Sequence, residues 1–398
     1  MQQPTTRKIM FGLLYFSQGT ILSYFTALNA LYFLSKGLSM TSVGIFATIA
    51  LIPFVIKIFL GMLSDKVNLF GLGYRKPYIL IGLAVQFLCL VVVPFIDPAT
   101  HYWLFVALAF VLQLGMALYD TCTDGLALDT TTEKEQGIIQ GIMVGGRALG
   151  VVITASAVGL LAQNVSWLAV FWLLAGLTLL PLPFVLGIQE GDRTVERVFD
   201  WKAFAAFKQK TVIGLTGIGF LFFMIIAGVN QLVNPFLQQD FGISLSQAGF
   251  YTTVWGVGVV FGGIVGGWLI SKIGKRNGVR ISLVISVVST LLLAATPSPL
   301  IAWFVVAMFG IAYGTYQTVY FALAMNLTDS RIAASMYSIM MAVSNVAQGA
   351  GMALTGFMAD SVGFRWTFIA FTAINLLVLP LIPVVFGKTK EQVSALAG

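Results

Sequence analysis

The sequence predicts an all-α membrane protein: twelve transmembrane helices arranged as two pseudo-symmetric six-helix bundles. Three observations carry this. Of 398 residues, 58% are apolar and only 9% are charged, whereas a soluble domain carries about 25% charged residues. Apolar stretches of roughly 20 residues, the length that crosses a hydrocarbon core of about 30 Å as a helix, recur from one end of the chain to the other. Polar loop motifs of the first half return in the second.

The predicted spans are 9–34, 41–63, 77–96, 102–127, 137–161, 166–187, 211–237, 244–270, 279–297, 299–326, 331–358 and 364–386. Apolar residues run on all sides of every stretch, so a β-barrel, with short alternating segments, is excluded. The first stretch follows Arg7 and Lys8, as a signal peptide would. It is longer than a signal h-region and shows no small-x-small cleavage site, so it counts as span 1. The longest polar segment, 189–210, divides the chain into an N-terminal bundle (1–188), a linker and a C-terminal bundle (211–398). Around Phe199, Trp201, Phe204 and Phe207 the linker has the pattern of an amphipathic helix on the membrane surface.

Charge sets the orientation. With the N-terminus inside, inner segments hold eighteen basic residues, among them Arg7, Lys8, Lys66, Arg75, Lys76, Lys134, Arg193, Lys210, Lys272, Arg276, Arg331 and Lys388. The outer loops hold only Lys36 and Arg365. This positive-inside bias predicts that both termini are cytoplasmic, in a cell (inner) membrane. The net charge of +7 is therefore a topology signal, and no nucleic-acid partner is expected.

The halves repeat. Residues 37–44 (GLSMTSVG) match 242–249 (GISLSQAG) at an offset of 205, and 61–66 (GMLSDK) match 267–272 (GWLISK) at 206. Two polar loop matches at nearly one offset are hard to reach by chance between apolar segments. Parallel repeats of this kind place a solute site between the halves near the midplane. Span 5 carries Gly141, Gly145, Gly146 and Gly150, and span 8 carries Gly258, Gly262, Gly263, Gly266 and Gly267. Such faces let helix backbones approach closely, for static packing or for rocking of the halves.

A charge at membrane depth costs several kcal/mol unless paired or wet, so each marks a candidate site. Lys57 lies in span 2, Asp120 and Asp124 near the inner end of span 4, and Arg147 in span 5. Asp120 and Asp124 are one turn apart on one helix face. Two carboxylates so close disfavour double ionisation, so the pair can load and release a proton. The alternative, that Lys57 and Arg147 simply neutralise them and lock the bundle, stays open. At an offset of 197, Asp120, Asp124, Asp129 and Arg147 meet Gln317, Phe321, Asn326 and Ser344. Ion coupling is thus expected in the first half. Hydrogen bonds and rings are expected from the second: Asn230, Gln231 and Asn234 in span 7, and Tyr313, Tyr316, Gln317 and Tyr320 on one face of span 10. Gln113 in span 4 joins the candidate solute-binding set of Lys57, Arg147, Asn230, Asn234, Tyr313, Tyr316 and Gln317.

Other classes find little support. Cys89 and Cys122 sit inside predicted spans and the lone histidine, His101, in a short loop, so neither a disulfide framework nor a metal site is indicated. No nucleotide-binding loop or catalytic triad appears. An Asp-x-x-x-Asp pair serves magnesium in prenyl-transferring membrane enzymes, but these need a second acidic cluster, which the second half lacks. No enzyme activity, cofactor or metal is expected. The partners are a small-molecule solute, a coupling ion (a proton) and the bilayer, with the chain acting as a monomer. A channel fits the repeated halves less well than alternating access. A non-transporting binding or pigment-delivery protein on the same fold is the remaining alternative.

Residues 61–66 (GMLSDK), followed by the basic Arg75 and Lys76, resemble the loop signature between helices two and three of the major facilitator superfamily. That resemblance implies a role for Asp65, with Arg75 and Lys76, in closing a cytoplasmic gate; the second copy has Ser271 at the acidic position. Residues 53–65 (PFVIKIFLGMLSD), 70–78 (FGLGYRKPY), 120–124 (DTCTD) and 140–150 (QGIMVGGRALG) resemble, more narrowly, the folate–biopterin transporter family. Its muropeptide permease and acetyl-CoA transporter relatives share parts of the pattern. The resemblance covers helices two to five. It implies a carrier of a small organic solute, in first place a folate- or pterin-like anion, with muropeptide, sugar or drug carriage on the same fold as alternatives.

Overall fold

The computed structural model describes residues 4–130, 133–188, 190, 207–327 and 333–387. The expected surface helix around Phe199, Trp201 and Phe204 falls outside these residues, as do Arg193, Arg331 and Lys388. Among the described residues there is no strand, and the chain crosses back and forth twelve times. Span 1 is Pro4–Ala27 with Asn29–Ser35, span 2 Met40–Val55 with Lys57–Lys66, span 3 Lys76–Val92, span 4 Tyr102–Thr130, span 5 Glu133–Asn164, and span 6 Trp167–Thr178 with Leu182–Leu186. Span 7 is Lys210–Phe241, span 8 Leu245–Trp268, span 9 Lys275–Ala295, span 10 Pro299–Leu327, span 11 Ala333–Val362, and span 12 Phe364–Asn375 with Leu381–Phe386.

Ten of the twelve are long and apolar enough to cross a membrane on length and hydropathy alone. The other two, spans 1 and 11, are diluted by polar residues such as Ser17, Gln18, Thr20 and Ser23, or Ser344, Asn345 and Gln348. In span 1 these four are fully buried. Spans 1 and 11 are polar because they face the interior of the bundle, where a lipid-facing helix would be apolar.

An even number of crossings puts both ends of the described chain on one face, together with Lys66, Arg75, Lys76, Lys210, Lys272 and Lys275. We call this the basic face. Spans 1 and 2 are each broken once. In span 1 the Thr26 hydroxyl bonds back to the carbonyls of Leu22 (2.9 Å) and Ser23 (3.2 Å), which bends a helix, and the helix breaks at Leu28. In span 2, Pro53 removes a backbone donor and the break follows at Ile56. Amides of the other half take carbonyls at both breaks: Asn234 Nδ2 donates to Ala27 O at 2.9 Å and Asn345 Nδ2 to Phe54 O at 3.0 Å.

The halves meet along two seams, span 2 against span 11 and span 5 against span 8. The seams are copies of one another in register. Gly44 packs on the backbone of Met352 and Ala353, with Gly356 over Met40; Gly249 packs on the backbone of Ala155, with Gly159 over Leu245. A Cβ at any of these glycines would collide with backbone. Thr48 Oγ1 donates to Gly349 O at 2.7 Å, and Thr253 Oγ1 to Val152 O at 3.0 Å. Each pair of equivalents is related by the offsets 205 and 197 of the sequence repeat. Gly37 and Gly242, the first residues of the repeated loop, both adopt positive φ (77° and 66°) where spans 1 and 7 end, a conformation open to glycine without strain.

Of the two uses open to the glycines singled out on spans 5 and 8, close static packing is the one seen for most of them. Gly146 and Gly150 pack on span 1, and Gly258 and Gly262 on span 10, each inside its own half. The glycines pressed on backbone at the seams are Gly44, Gly159, Gly249 and Gly356, and Gly256 and Gly349 meet side chains there, of Val152 and Thr48. Gly141, Gly145 and Gly267, toward the basic face, meet nothing within 4 Å. Hydrogen bonds between the halves among the described residues run from Asn345–Phe54 outward to the rim opposite the basic face. The chain is therefore closed on that opposite face.

Candidate functional site

Between the halves lies a cavity of about 340 Å³, within reach of the size range of small-molecule sites. The first half contributes Tyr15, Phe25 and Asn29 from span 1, Phe54 and Lys57 from span 2, Gln113, Asp120 and Asp124 from span 4, and Arg147 from span 5. The second half contributes Phe223, Asn230 and Gln231 from span 7, Tyr313, Gln317 and Phe321 from span 10, and Ser344, Asn345 and Gln348 from span 11. All four charges that the sequence places at membrane depth reach this one wall.

Local structure explains how. The break at Ile56 directly precedes Lys57, so the lysine starts a new helical segment and its side chain turns to span 4. Lys57 Nζ lies 3.3 Å from Asp120 Oδ2. Asp120 Oδ1 accepts from Gln18 Nε2 at 2.8 Å, and Gln18 Oε1 accepts from Arg147 Nη2 at 2.7 Å. The Arg147 guanidinium sits 5.4 Å from the centroid of the Tyr15 ring, a cation–π distance. The Tyr15 hydroxyl donates to Asp124 Oδ1. The four charges, formally summing to zero, are thus joined by two side chains of span 1.

The sequence alone does not single out Tyr15 and Gln18. They lie three residues apart, on one helix face, in a span of low apolar character; that dilution is the available signal. Arg147 does not contact either carboxylate directly, contrary to the simple pairing expected, because Gln18 stands between. The repeat holds on the opposite wall: Gln317, Phe321 and Ser344, the equivalents of Asp120, Asp124 and Arg147, line the same cavity, which is charged on one side and neutral on the other.

Two expected lining residues are elsewhere. Asn234 is 4% exposed and is consumed by the seam, donating to Ala27 O and to Thr252 Oγ1 at 3.0 Å. Tyr316 is fully buried within its own half, stacked on Phe222 at 3.5 Å and donating to Asn375 Oδ1 at 2.6 Å. Tyr320 is likewise fully buried. Span 10 is surrounded, so Tyr313 and Gln317 face the cavity while Tyr316 and Tyr320, further round the helix, face the core. Gln113, Asn230, Tyr313 and Gln317 line the cavity as expected.

Among the described residues, four buried polar atoms of the lining have no hydrogen-bond partner: Arg147 Nε, Gln113 Oε1, Gln231 Oε1 and Asn29 Oδ1. Leaving such atoms unsatisfied costs about 1–3 kcal/mol each, so they offer one charged donor and three amide oxygens to whatever fills the space.

At the basic face, Arg75 is 3% exposed and gathers Asp65 (2.5 Å), Asp129 (3.2 Å) and Ser64 Oγ (2.5 Å). Lys76 Nζ donates to Leu186 O and Ile188 O at 2.7 and 3.0 Å. The Glu190 carboxylate accepts from the backbone N–H groups of Tyr74, Arg75 and Lys76, where span 3 begins. Arg75 thus bridges Asp65 and Asp129, and the Lys76 ammonium reaches the end of span 6, contacts made inside the first half, while Glu190 joins from the start of the linker. His101 bonds Thr100 Oγ1 in an exposed loop, and among the described residues no cluster could hold a metal ion.

Two six-helix halves around a solute-sized cavity with a charged wall define a polytopic membrane carrier. The Major Facilitator Superfamily profile matches residues 10–230 and 215–398, and the chain belongs to that family. A protein of Rickettsia conorii assigned as transporter AmpG 1 is 23% identical over 398 residues, covering 91% of this chain and 93% of its own. The sialic acid transporter NanX of Escherichia coli is 24% identical over 236 residues, 57% of this chain and 55% of its own. Among solved structures, the inward-facing, unoccupied form of a bacterial homologue of the human lysosomal transporter Spinster superposes with a TM-score of 0.78 at 17% identity, covering 97% of this chain and 98% of that one. The nucleoside transporter NupG superposes with a TM-score of 0.77 at 15% identity, covering 98% of this chain and 100% of that one. At these identities the structures speak for the fold alone. The chain is a transporter of this superfamily and not an enzyme.

Proposed function

We propose that this transporter carries a small organic anion across the inner membrane by alternating access, with proton coupling through the first half. The observation that carries the reading is the position of Arg147: it lines the cavity, is bound to Gln18, and keeps its Nε without a partner among the described residues. A guanidinium with a spare donor at membrane depth is suited to a carboxylate of the solute. Lys57, also in the lining, is the second cation within reach. The neutral wall opposite, with Tyr313, Gln317, Asn230 and Gln231, would hold a flat or amide-bearing body. The likeness to a sialic acid transporter supports an anionic solute; the resemblance of residues 53–65, 70–78, 120–124 and 140–150 to folate–biopterin carriers favours a pterin-like one.

Asp120 has Lys57 against it, whereas Asp124 is bonded by the neutral Tyr15 hydroxyl. Asp124 is therefore the carboxylate we assign to proton exchange, with Asp120 holding Lys57 until solute takes it. The basic face is assigned to the cytoplasm, with both termini there, the bundles as 1–188 and 211–398, and the chain as a monomer. Asp65, Arg75 and Lys76 would serve the cytoplasmic gate when the halves close on that side.

Thermal unfolding of the purified protein against folates, pterins, muropeptides, sialic acid, nucleosides and lipophilic cations, at two pH values, tests this reading, since a ligand of the native state raises stability by mass action. A pH-dependent rise with one anionic class is the expected result. A rise with a neutral sugar or a cation, and none with any anion, would overturn it.

A further inference from the structure

We propose that Asp360 is a charged latch that holds the chain closed on the face opposite the basic loops, and that the span 2–span 11 seam is for that reason the stronger of the two. This rests on the alternating-access reading.

At the rim of that face Asp360, near the end of span 11, reaches the start of span 2 in the other half. Its Oδ1 accepts from the Met40 N–H at 3.0 Å; its Oδ2 accepts from the Thr41 N–H at 2.6 Å and the Thr41 hydroxyl at 2.5 Å. These N–H groups open a helix and have no partner within it, and the positive end of the helix dipole favours an anion there. The second seam carries the same fastening. Gln163, near the end of span 5, accepts through Oε1 from the Ser246 N–H at 2.9 Å, at the start of span 8. Thr41 and Ser246 are 205 apart, and Gln163 and Asp360 are 197 apart, the offsets of the repeat.

One device is therefore built twice, once with a carboxylate that takes three hydrogen bonds and once with an amide that takes one. Bonds to an ionised acceptor are roughly twice as strong as neutral ones. What Asp360 meets from span 2 is backbone and hydroxyl. The other charged groups of this rim are engaged elsewhere, Lys36 with Asp97 at 3.6 Å and Arg365 with Asp240 at 2.9 Å. His101, beside span 4, bonds Thr100, and Tyr102 of span 4 donates to Ser42 O. Among the described residues no cation competes for the Asp360 carboxylate. Opening toward this face must break the span 2–span 11 latch, whereas among the described residues the span 5–span 8 seam is held at its rim by a single neutral bond.

Spin labels at Thr100 and Val362, both exposed and in opposite halves, report the separation of this rim; the native Cys89 and Cys122 are buried. Distance distributions of the full chain in lipid nanodiscs are compared for the unchanged sequence, Asp360→Asn and Gln163→Glu. Asp360→Asn keeps the shape and removes the charge, so the ratio of open to closed populations is expected to rise about tenfold. Gln163→Glu adds the charge to the weaker seam and is expected to lower that ratio by several-fold. An unchanged distribution in both variants, with two populations in the parent, overturns the latch and leaves alternating access standing. A single population in the parent with every solute and pH overturns the reading beneath it.

Discussion

Gln18 stands between Asp120 and Arg147, its amide nitrogen donating to the carboxylate at 2.8 Å and its oxygen accepting from the guanidinium at 2.7 Å. A guanidinium only donates and an ionised carboxylate only accepts, so this amide has one orientation in the network. Charges on three different helices thereby become one bonded unit. Its far ends are Lys57, bonded to Asp120, and Arg147, which lies over Tyr15 and through it next to Asp124.

Gln18→Leu removes both bonds at a fully buried position. Hydrogen bonds to charged groups contribute about 1.5–3 kcal/mol each, so a clear drop in unfolding temperature is expected, with uptake into proteoliposomes down at least about tenfold. Uptake at the parent rate would show that Asp120 and Arg147 act independently.

The Lys57–Asp120 pair lends itself to a double-mutant cycle. The Asp120 side chain is 6% exposed and that of Lys57 29%. Asp120→Asn leaves an ammonium without its counter-charge, and breaking such a pair from one side costs about 3–5 kcal/mol when both groups are buried; partial exposure of Lys57 moves the expectation to the low end. Lys57→Met with Asp120→Asn removes both charges and should recover most of the loss. Melting curves of the four proteins decide it: strictly additive losses would mean the two groups do not couple.

Asp124→Asn tests the coupling assignment. An amide in place of the carboxylate cannot release a proton, yet it can still accept from Tyr15. Solute exchange between equal concentrations on the two sides should persist, while accumulation driven by a pH gradient disappears. Intact accumulation by this variant would remove Asp124 from the proton path.

The twelve spans, the repeat and the four intramembrane charges are legible in the sequence because each is a strong local contrast: apolar against polar, or a charge where none is expected. Tyr15 and Gln18 carry no charge and sit in a span whose polarity has several possible explanations, so their role emerges only when span 1 is packed against spans 4 and 5. Asn234 and Tyr316 escape the sequence for a related reason. A helix enclosed on all sides has polar contacts in several directions, and periodicity tells which residues share a face but not what that face meets. The breaks at Leu28 and Ile56 are likewise invisible as site features, although Pro53 hints at the second. The seam register is implicit in the offsets 205 and 197, yet only the packing of Gly44 on Met352 and of Gly249 on Ala155 shows that both offsets describe one interface.

Span 10 offers a paired test of which tyrosines belong to the cavity. Tyr316 donates to Asn375 Oδ1 at 2.6 Å, and Asn375 Nδ2 donates to Ser286 Oγ at 2.8 Å, a buried polar chain across spans 10, 12 and 9. Tyr316→Phe leaves the asparagine oxygen without its donor and should destabilise the protein by about 1–3 kcal/mol with solute affinity unchanged. Tyr313, three residues earlier, lines the cavity and meets Trp255 edge-on at 5.1 Å. Tyr313→Phe keeps that ring contact and removes a hydroxyl, so stability should hold while solute affinity falls about three- to tenfold, the size of one hydrogen bond. Unfolding temperature and binding affinity, measured on both variants, separate the two roles. A loss of affinity in Tyr316→Phe with none in Tyr313→Phe would place the solute against the core face of span 10, and the cavity wall described above would have to be redrawn.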